Sequence, residues 1–286
     1  MPFEWVVSRT PYEGCQASLE EARVVLVGAG YDGTTSYRPG SRFAPQAIRA
    51  EVVYSQENYS PYLHRDLTDR AIHDLGDVNL PFGTREVALD RIYRTARQIF
   101  ELGKIPCFIG GEHLITLPII QAAVEFFPDL VIVQLDAHLD LMDELFGERY
   151  SHGTVMRRCY ELLSGRDCLH QVAIRSGNRL EYQFAAEHTR LYEFHTRDFL
   201  HQIEHLKNRP VYLTVDLDVF DPSMIPGTGT PEAGGIFFPE FVDFLRAMDG
   251  TNIVGADLVE LSPQLDPTTV STITAAKILR ELLLIL

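Results

Sequence analysis

The chain alternates short, continuously apolar runs with longer segments of helical periodicity along most of its length. A strand that is covered on both faces lacks the polar alternation of a half-exposed strand. Continuous apolar runs of this kind are therefore typical of a parallel sheet buried between helices. On this basis we predict strands at residues 23–27, 71–75, 105–109, 130–135, 171–175, 211–215 and 253–258.

Helices are predicted in several of the intervening segments. Residues 85–102 carry apolar side chains at helical spacing and are followed by Gly103, a residue that commonly ends a helix. Further helices are predicted at residues 114–126, 154–163, 239–248 and 269–284. This alternation implies a parallel sheet with right-handed crossovers and helices on both faces. Because no repeat, low-complexity tract or Pro/Gly-rich linker divides the chain, we expect one α/β/α domain over residues 1–286.

Glycines follow the first predicted strand in a spacing that resembles a dinucleotide-binding loop. Gly28, Gly30 and Gly33 match the pattern G-x-G-x-x-G. In that kind of loop a helix begins directly after the glycines, but here residues 37–40 (YRPG) continue as a loop. The sequence therefore argues against a dinucleotide site.

Charge and composition argue against nucleic acids and membranes as binding partners. The net charge of −15, without any basic run, argues against a nucleic-acid-binding surface, where Lys and Arg must neutralise phosphates. No apolar stretch is long enough to span a bilayer and the N-terminus is acidic, so we expect no membrane association and a cytoplasmic location. The four cysteines form no CxxC pair, which favours reduced thiols, and Cys107 is expected to be a buried small apolar residue.

Three predicted strands are each followed at once by residues of metal-binding type. Residues 110–113 (GGEH), 136–140 (DAHLD) and 216–218 (DLD) follow the strands at 105–109, 130–135 and 211–215. Ligands of open parallel sheets bind beyond the carboxyl ends of the strands, so these loops would converge if the three strands are neighbours. In an extended chain, alternate side chains point to one side, which would align the acidic and histidine residues of each motif.

Four carboxylates and two imidazoles at one place predict a pair of divalent cations. Buried carboxylates penalise one another's ionisation, and cations remove that conflict. Hard oxygens with imidazoles and no thiolate favour manganese over structural zinc, with iron, cobalt and nickel as alternatives. Two such ions can hold one water, lower its pKa and present hydroxide at neutral pH. The six predicted ligands are His113, Asp136, His138, Asp140, Asp216 and Asp218.

The motifs resemble those of the ureohydrolase family, which includes arginase, agmatinase and formiminoglutamase. The resemblance runs from about Tyr31 to the C-terminal helix and also includes residues 151–154 (SHGT), 216–222 (DLDVFDP) and 226–231 (PGTGTP). It implies a three-layer α/β/α sandwich with a central, mostly parallel sheet of about eight strands. It also implies a two-manganese cluster and a homo-oligomer, commonly a trimer or hexamer.

The resemblance assigns a role to each site residue. Asp136 and Asp216 would bridge the two ions, one of which also takes His113 and Asp140 while the other also takes His138 and Asp218. Asp140 is thereby counted among the catalytic residues. His152 matches the family's proton-transfer histidine beside the substrate, and Glu260 matches the carboxylate that holds the substrate guanidinium. Thr230 stands where a supporting hydroxyl is expected, and Glu112 is expected to support the loop or the ligand shell.

The resemblance is strongest to the agmatinase members. Met142 stands where arginases place an asparagine near the substrate carboxylate, and the arginase-type aspartate is missing near residues 175–179 (RSGNR). Residues 35–40 (TSYRPG) and 147–152 (GERYSH) also look like agmatinases. The expected reaction is therefore hydrolysis of agmatine, a small cationic guanidino compound, to putrescine and urea.

Several other functions stay open. Guanidinobutyrate, guanidinopropionate, guanidine and arginine are alternative substrates within the same family, whereas a formiminoglutamase fits less well because its usual loop lacks the SHGT pattern. A metal-dependent deacetylase is an alternative from another class of enzyme. A non-catalytic homologue would be expected to have lost cation ligands, and none of the six is missing.

Overall fold

The computed structural model describes residues 3–81, 83–163 and 165–286, apart from the side chain of Arg166. Most of the strands in this part of the chain belong to one central sheet. In chain order the strands are β1 (Val6–Val7), β2 (Val24–Ala29), β3 (Tyr59–Ser60), β4 (Arg65–Asp66), β5 (Ile72–Val78), β6 (Ile105–Gly110), β7 (Val131–Leu135), β8 (Leu169–Ile174), β9 (Arg190–Glu193), β10 (Val211–Asp216) and β11 (Ile253–Val259).

The central sheet has nine strands in the order β1-β5-β2-β6-β11-β10-β7-β8-β9, and β3 and β4 form a separate pair. Every neighbouring pair in the central sheet is parallel except β1 with β5. The expected three-layer architecture with a mostly parallel sheet is thus confirmed, with nine strands rather than about eight.

Helices cover both faces of this sheet. They are α1 (Ala44–Ser55), α2 (Arg85–Glu101), α3 (Thr116–Phe126), α4 (Val155–Tyr160), α5 (Arg179–His188), α6 (Arg197–Leu200), α7 (Ile203–Leu206), α8 (Phe238–Met248) and α9 (Val270–Leu283). Buried side chains of α1, α6, α7, α8 and α9 belong to one hydrophobic cluster, and those of α2, α3, α4 and α5 to a second. Strand β2 contributes Val24 and Leu26 to the first cluster and Val25 and Val27 to the second, because successive side chains of a strand point to opposite faces.

All seven predicted strands and all five predicted helices are present, with small shifts at their ends. The elements that the pattern did not predict have weaker signals. β1 is only two residues long, and β9 is a partly exposed edge strand without a continuous apolar run. α1 directly follows a short 3-10 helix over Ser41–Phe43 and carries Pro45 in its first turn, a position that tolerates proline because no helical N–H is needed there.

The cysteines agree with the expectation of reduced thiols. Cys15, Cys107, Cys159 and Cys168 are buried and form no disulfide. Burial raises the pKa of Cys107 well above that of an exposed thiol, which suits its expected role as a small apolar core residue. Within the described ranges, no helix combines the length and the apolar character needed to cross a membrane.

Candidate active site

The predicted site residues come together at the carboxyl edge of the sheet, above its central strands. In spatial order these strands are β6, β11, β10 and β7. β10 and β7 are hydrogen-bonded neighbours, but β11 lies between β6 and β10. This intervening strand ends at Val259 and delivers Glu260 to the same edge. Four adjacent strands therefore supply the predicted cation ligands and the predicted guanidinium carboxylate.

Two of the acidic motifs fold through the same local turn. Oδ1 of Asp136 accepts the amide of His138 at 2.7 Å, and Oδ1 of Asp216 accepts the amide of Asp218 at 2.8 Å. An aspartate that accepts the amide two residues further on forms an Asx turn. The extended geometry expected for residues 216–218 is wrong, because a 3-10 helix spans Leu217–Val219. The turn, rather than strand alternation, therefore sets the positions of these two aspartates.

A first group of ligand atoms surrounds the imidazole of His113. Its Nδ1 lies 3.1 Å from Oδ2 of Asp136, 3.1 Å from Oδ2 of Asp140 and 3.3 Å from Oδ2 of Asp216. This nitrogen is buried and makes no hydrogen bond that satisfies the usual geometry. An unsatisfied buried ring nitrogen is costly unless another ligand occupies it. The nitrogen and these oxygens are donors that could hold a metal ion, and one ligand atom each of His113, Asp136 and Asp140 lie within 4.8 Å of one another.

A second group surrounds the imidazole of His138. Its Nδ1 lies 2.9 Å from Oδ2 of Asp218 and 3.6 Å from Oδ1 of Asp136. One ligand atom each of Asp136, His138 and Asp218 lie within 4.8 Å of one another. Asp136 therefore belongs to both groups and offers a different oxygen to each, as a bridging carboxylate would.

The electrostatics of the site fit divalent cations. Asp136, Asp140, Asp216 and Asp218 are all buried. Burial and the neighbouring Asp136 raise the pKa of Asp140 to about 7, and burial with the charges of Asp218 and Asp136 raises that of Asp216 well above its ordinary value. Burial alone would also raise the pKa of Asp136, but its two histidine neighbours reverse the effect and lower it. Cations among these oxygens would favour all four charged forms.

Two residues of the site adopt left-handed backbone conformations. Asp140 has a φ of 53° and Glu260 a φ of 67°. For residues other than glycine such a conformation costs about 1–2 kcal/mol, and it is common where a side chain must be aimed at a functional site. Glu260 is held in place because its amide donates to the carbonyl of Gly111 at 2.9 Å. Its Oε1 accepts the amide of His113 at 2.7 Å, which joins the expected guanidinium carboxylate to a predicted cation ligand.

The second ring nitrogen of His113 is fixed by a buried chain of hydroxyl and carboxylate groups. Nε2 lies 2.9 Å from Oγ1 of Thr214, which donates to Oδ1 of Asp257 at 2.6 Å. Asp257 also accepts the hydroxyls of Tyr212 and Thr116 at 2.7 and 2.8 Å. Since the hydroxyl of Thr214 gives its proton to Asp257, it accepts from Nε2–H, and the lone pair of Nδ1 then faces the carboxylates. The sequence analysis did not single out Asp257, although an acidic residue inside an apolar strand signals a functional position.

The shared carboxylate of Asp136 is also held from behind. Nε2 of Gln134 donates to Oδ2 of Asp136 at 2.7 Å and to the carbonyl of His138 at 3.1 Å. Oε1 of Gln134 in turn accepts from Nε2 of Gln171 at 2.8 Å, from the neighbouring strand β8. Both glutamines are fully buried within apolar strands. They restrict the carboxylate to one orientation, a role that the sequence analysis also missed.

A cavity of about 310 Å³ opens beside the two ligand groups. Its lining includes the expected substrate-contacting residues His152, Thr230 and Glu260. Oγ1 of Thr230 donates to Oδ2 of Asp218 at 3.2 Å, so this hydroxyl orients one carboxylate of the second group. His152 is half-buried in a 3-10 helix over His152–Thr154, and burial lowers its pKa below the ordinary value. The imidazole is therefore mostly neutral at pH 7.

The opposite rim of the cavity contains Met142, as anticipated, and Glu181, which the sequence analysis missed. Oε1 of Glu181 accepts the amide of Leu141 at 3.0 Å and Oε2 accepts the amide of Asn178 at 2.9 Å. Asn178 and Glu181 form a capping box at the start of α5. The spacing of these two residues was the sequence signal that could have revealed both the helix and the buried acid.

Comparison with known proteins gives one consistent family. The model of the Arginase family matches residues 22–285. The chain is 42% identical over 288 residues to an agmatinase of Bacillus anthracis, covering 99% of each protein. It is 38% identical over 271 residues to an N(1)-aminopropylagmatine ureohydrolase of Thermococcus kodakarensis, covering 91% of this chain and 89% of that protein. A solved structure described as a "putative agmatinase" from Clostridium difficile aligns with a TM-score of 0.91 at 44% identity, covering 94% of this chain and 98% of the other.

Proposed function

Since this chain belongs to the arginase family, we propose that it hydrolyses agmatine to putrescine and urea at a pair of manganese ions. The family match over residues 22–285 and the agmatinase relatives identify it as a metal-dependent amidinohydrolase. The substrate, the number and kind of cations and the role of each residue form the proposal.

The charge of the cavity favours agmatine over guanidino compounds that carry a carboxylate. Among its described lining residues are five carboxylates and neither lysine nor arginine; the five are Asp140, Glu181, Asp216, Asp218 and Glu260. Cations at the two ligand groups would offset the charge of Asp140, Asp216 and Asp218, so Glu181 and Glu260 remain as the negative groups of the described lining. Agmatine carries two positive charges at neutral pH, whereas arginine and the guanidino acids carry a carboxylate that these two acids would repel. Met142 adds apolar surface where a carboxylate-bearing tail would need a hydrogen-bond donor.

The cations are assigned to the two ligand groups. His113, Asp136, Asp140 and Asp216 would hold one ion, and His138, Asp136, Asp216 and Asp218 the other. The measured contacts support Asp136 as a bridge, since its two oxygens face different imidazoles. Manganese is favoured by the mixture of carboxylate and imidazole donors without thiolate. When bound, such a pair of ions would lower the pKa of water and so supply hydroxide near neutral pH.

The remaining residues bind the substrate and move a proton. The carboxylate of Glu260 would accept paired hydrogen bonds from the planar guanidinium and so present its carbon to the nucleophile. The oxygen of water joins that carbon, the bond to the alkyl-bearing nitrogen breaks, and this nitrogen leaves with the electron pair and takes up a proton. Because the ring is mostly neutral at rest, Nε2 of His152 would first take up a proton released by the attacking water and then deliver it to that nitrogen. Thr230 would keep Asp218 oriented through its hydroxyl.

One relative supports a second candidate substrate. The Thermococcus kodakarensis protein is named for N(1)-aminopropylagmatine, which is agmatine extended by an aminopropyl group. Such a compound is also a guanidino polyamine without a carboxylate, so the charge of the cavity suits it equally well. Its greater length distinguishes it experimentally from agmatine.

The test is urea release by manganese-loaded protein from matched guanidino compounds. We expect kcat/KM for agmatine to exceed that for arginine, guanidinobutyrate, guanidinopropionate and guanidine, with N(1)-aminopropylagmatine assayed beside it. A preference for arginine or a guanidino acid would refute the proposed substrate. Turnover of acetylated polyamines without urea would instead identify a deacetylase.

The proposal extends to the organisation of the molecule. We propose that residues 1–286 act as a single ureohydrolase domain, which the family match over residues 22–285 and the one central sheet support. By the family resemblance alone, we propose a cytoplasmic homo-oligomer, a trimer or a hexamer. Light scattering on the purified protein measures the number of subunits directly.

A further inference from the structure

A buried carboxylate beside the cation site binds the loop that follows β2. Glu112 is fully buried, and its Oε2 accepts the amide of Thr34 at 2.9 Å and the hydroxyl of Thr35 at 3.1 Å. Its Oε1 accepts the hydroxyl of Thr34. The carboxylate thus accepts three hydrogen bonds from two consecutive residues, and it is a loop-binding group rather than a member of either ligand group.

The same loop packs directly on the segment that carries His113. The amide of Glu112 donates to the carbonyl of Tyr31 at 2.7 Å, and the amide of Gly111 donates to the carbonyl of Ala29 at 3.0 Å. A Cβ at Gly111 would lie 1.8 Å from the carbonyl oxygen of Tyr31, so only glycine permits this approach. The loop and the segment that leads to the cation ligand therefore form one packed unit.

The loop in turn contacts both ring nitrogens of His152. Nδ1 lies 3.1 Å from the carbonyl oxygen of Thr34, and Nε2 lies 3.1 Å from Oγ of Ser36. A carbonyl oxygen can only accept, so Nδ1 carries the proton in the neutral ring. Nε2 then has its lone pair on the side of Ser36, a residue that lines the cavity. With Nδ1 bound to the loop, Nε2 is the nitrogen that would exchange protons with the substrate.

We propose that Glu112 is a positioning residue that acts through Thr34 and Thr35 to fix the ring orientation and tautomer of His152. The proposal rests on the proposed role of His152 in proton transfer. It explains why an acid occupies position 112 although it binds neither group of cation ligands. Glu112 also connects the loop that contacts His152 with the proposed cation ligand His113, because it directly precedes His113 in the chain.

The first test separates hydrogen bonding from charge at position 112. Glu112→Gln keeps an oxygen for the amide of Thr34 and the hydroxyl of Thr35, and its amide group can donate to the hydroxyl of Thr34. Glu112→Leu removes all three hydrogen bonds. We expect kcat of the Leu variant to fall about 10–100-fold, as for a small misplacement of a catalytic group, while the Gln variant stays within about threefold of the wild type.

The second test leaves Glu112 and the neighbouring ligand untouched. The double variant Thr34→Val, Thr35→Val removes two of the three hydrogen bonds without changing side-chain shape. Its matched control is Thr196→Val, since Thr196 donates its hydroxyl and its amide to Glu240 in the same manner, at 3.1 and 2.8 Å, in a different loop. We expect kcat to fall in the double variant and not in the control, with metal content and KM for agmatine nearly unchanged in both.

A readout that needs no substrate distinguishes this proposal from the proposed function. Diethyl pyrocarbonate reacts with the unprotonated ring nitrogen of histidine, and mass spectrometry reports the rate at His152 across pH. Burial lowers the pKa of His152 and its hydrogen bond to the carbonyl of Thr34 raises it, so loss of that contact should move the titration further downward. Unchanged titration and unchanged kcat in Glu112→Leu and in the double Thr variant would overturn the proposal. Failure of the wild type to release urea from agmatine, with the shifted titration observed, would overturn only the substrate assignment.

Discussion

The carboxylate of Asp136 places its Oδ2 3.1 Å from Nδ1 of His113. Its Oδ1 faces the other imidazole of the site, at 3.6 Å from Nδ1 of His138. Gln134 donates to Oδ2 from behind and keeps the two oxygens pointing in different directions. One side chain at the end of β7 therefore connects two sets of ligand atoms, and the proposed chemistry depends on that connection.

Replacing this carboxylate should affect both cations. In Asp136→Asn we expect the apparent affinity for both ions to fall by more than the 10–100-fold typical of an outer-shell partner, with activity lost in parallel. Metal content after dialysis, measured by mass spectrometry, checks this. Asp221→Asn is the matched control, since Asp221 also forms an Asx turn after β10 but binds Ser223 and the amides of Gly234 and Gly235. Retention of two tightly bound ions by Asp136→Asn would contradict the bridging role.

The hydrogen bonds that run from Asp257 through Thr214 to His113 predict an effect on cation affinity rather than on the chemical step. Thr214→Val removes the acceptor for Nε2–H of the imidazole and should weaken cation binding about 10–100-fold. A chelator competition titration measures the change. Thr95→Val provides the control, because Thr95 is a buried threonine in α2 that donates only to the carbonyl of Arg91. Equal cation affinity in the wild type and Thr214→Val would show that this chain does not orient the ligand.

Removing the imidazole of His152 should lower turnover and leave cation binding unchanged. His152→Phe preserves an aromatic ring but cannot transfer a proton, so kcat should fall roughly 10²–10⁴-fold, the usual range for a general acid–base group. Metal content should remain that of the wild type, because His152 belongs to neither ligand group. Near-normal turnover would mean that another group carries the proton.

The cation-free protein should become less stable as the pH rises. Acid denaturation has the opposite direction, since it makes a protein less stable as the pH falls. The pKa of Asp140 is raised by burial and by Asp136 from 3.8 to about 7. A group with a raised folded-state pKa contributes stability that is present below its unfolded pKa and is lost as pH rises through its folded pKa. The raised pKa values of Asp216 and Glu260, for which burial is the main cause, act in the same direction.

We therefore expect the chelator-treated protein to lose stability between about pH 4 and pH 8, by up to about 4 kcal/mol from a single group shifted by about three pKa units. Added Mn²⁺ should remove this loss, since cations favour the charged carboxylates. Urea unfolding across this pH range, with and without the cation, measures both effects. If the cation-free protein becomes more stable over the same pH range, the raised pKa values of these buried carboxylates are contradicted.

Local sequence signals were sufficient to predict that these side chains meet at one place, because each motif directly follows a continuous apolar run. The same logic predicted the carboxyl edge of the sheet as the place of the site. It could not show that β11 lies between β6 and β10, since strand order is a property of the whole fold. The turn at Asp216 and Asp218 also differed from the expected extended chain, because the aspartate side chain competes for the backbone amide.

The residues that support the ligands were missed for a related reason. Thr214, Asp257 and Gln134 lie inside strands that otherwise read as apolar core, and their partners come from neighbouring strands. Glu112 and Thr34 are 78 residues apart in the chain, so their contact depends on the packing of two loops. A buried polar side chain within an apolar strand marks such positions, but its partner becomes known only with the fold.

The most direct test is anomalous X-ray scattering at the manganese absorption edge, from crystals of the protein grown with Mn²⁺. We expect two peaks per chain, one beside His113, Asp136, Asp140 and Asp216, and the other beside His138, Asp136, Asp216 and Asp218. A single peak, no peak, or peaks away from these six side chains would contradict the binuclear site on which the proposed hydrolysis depends.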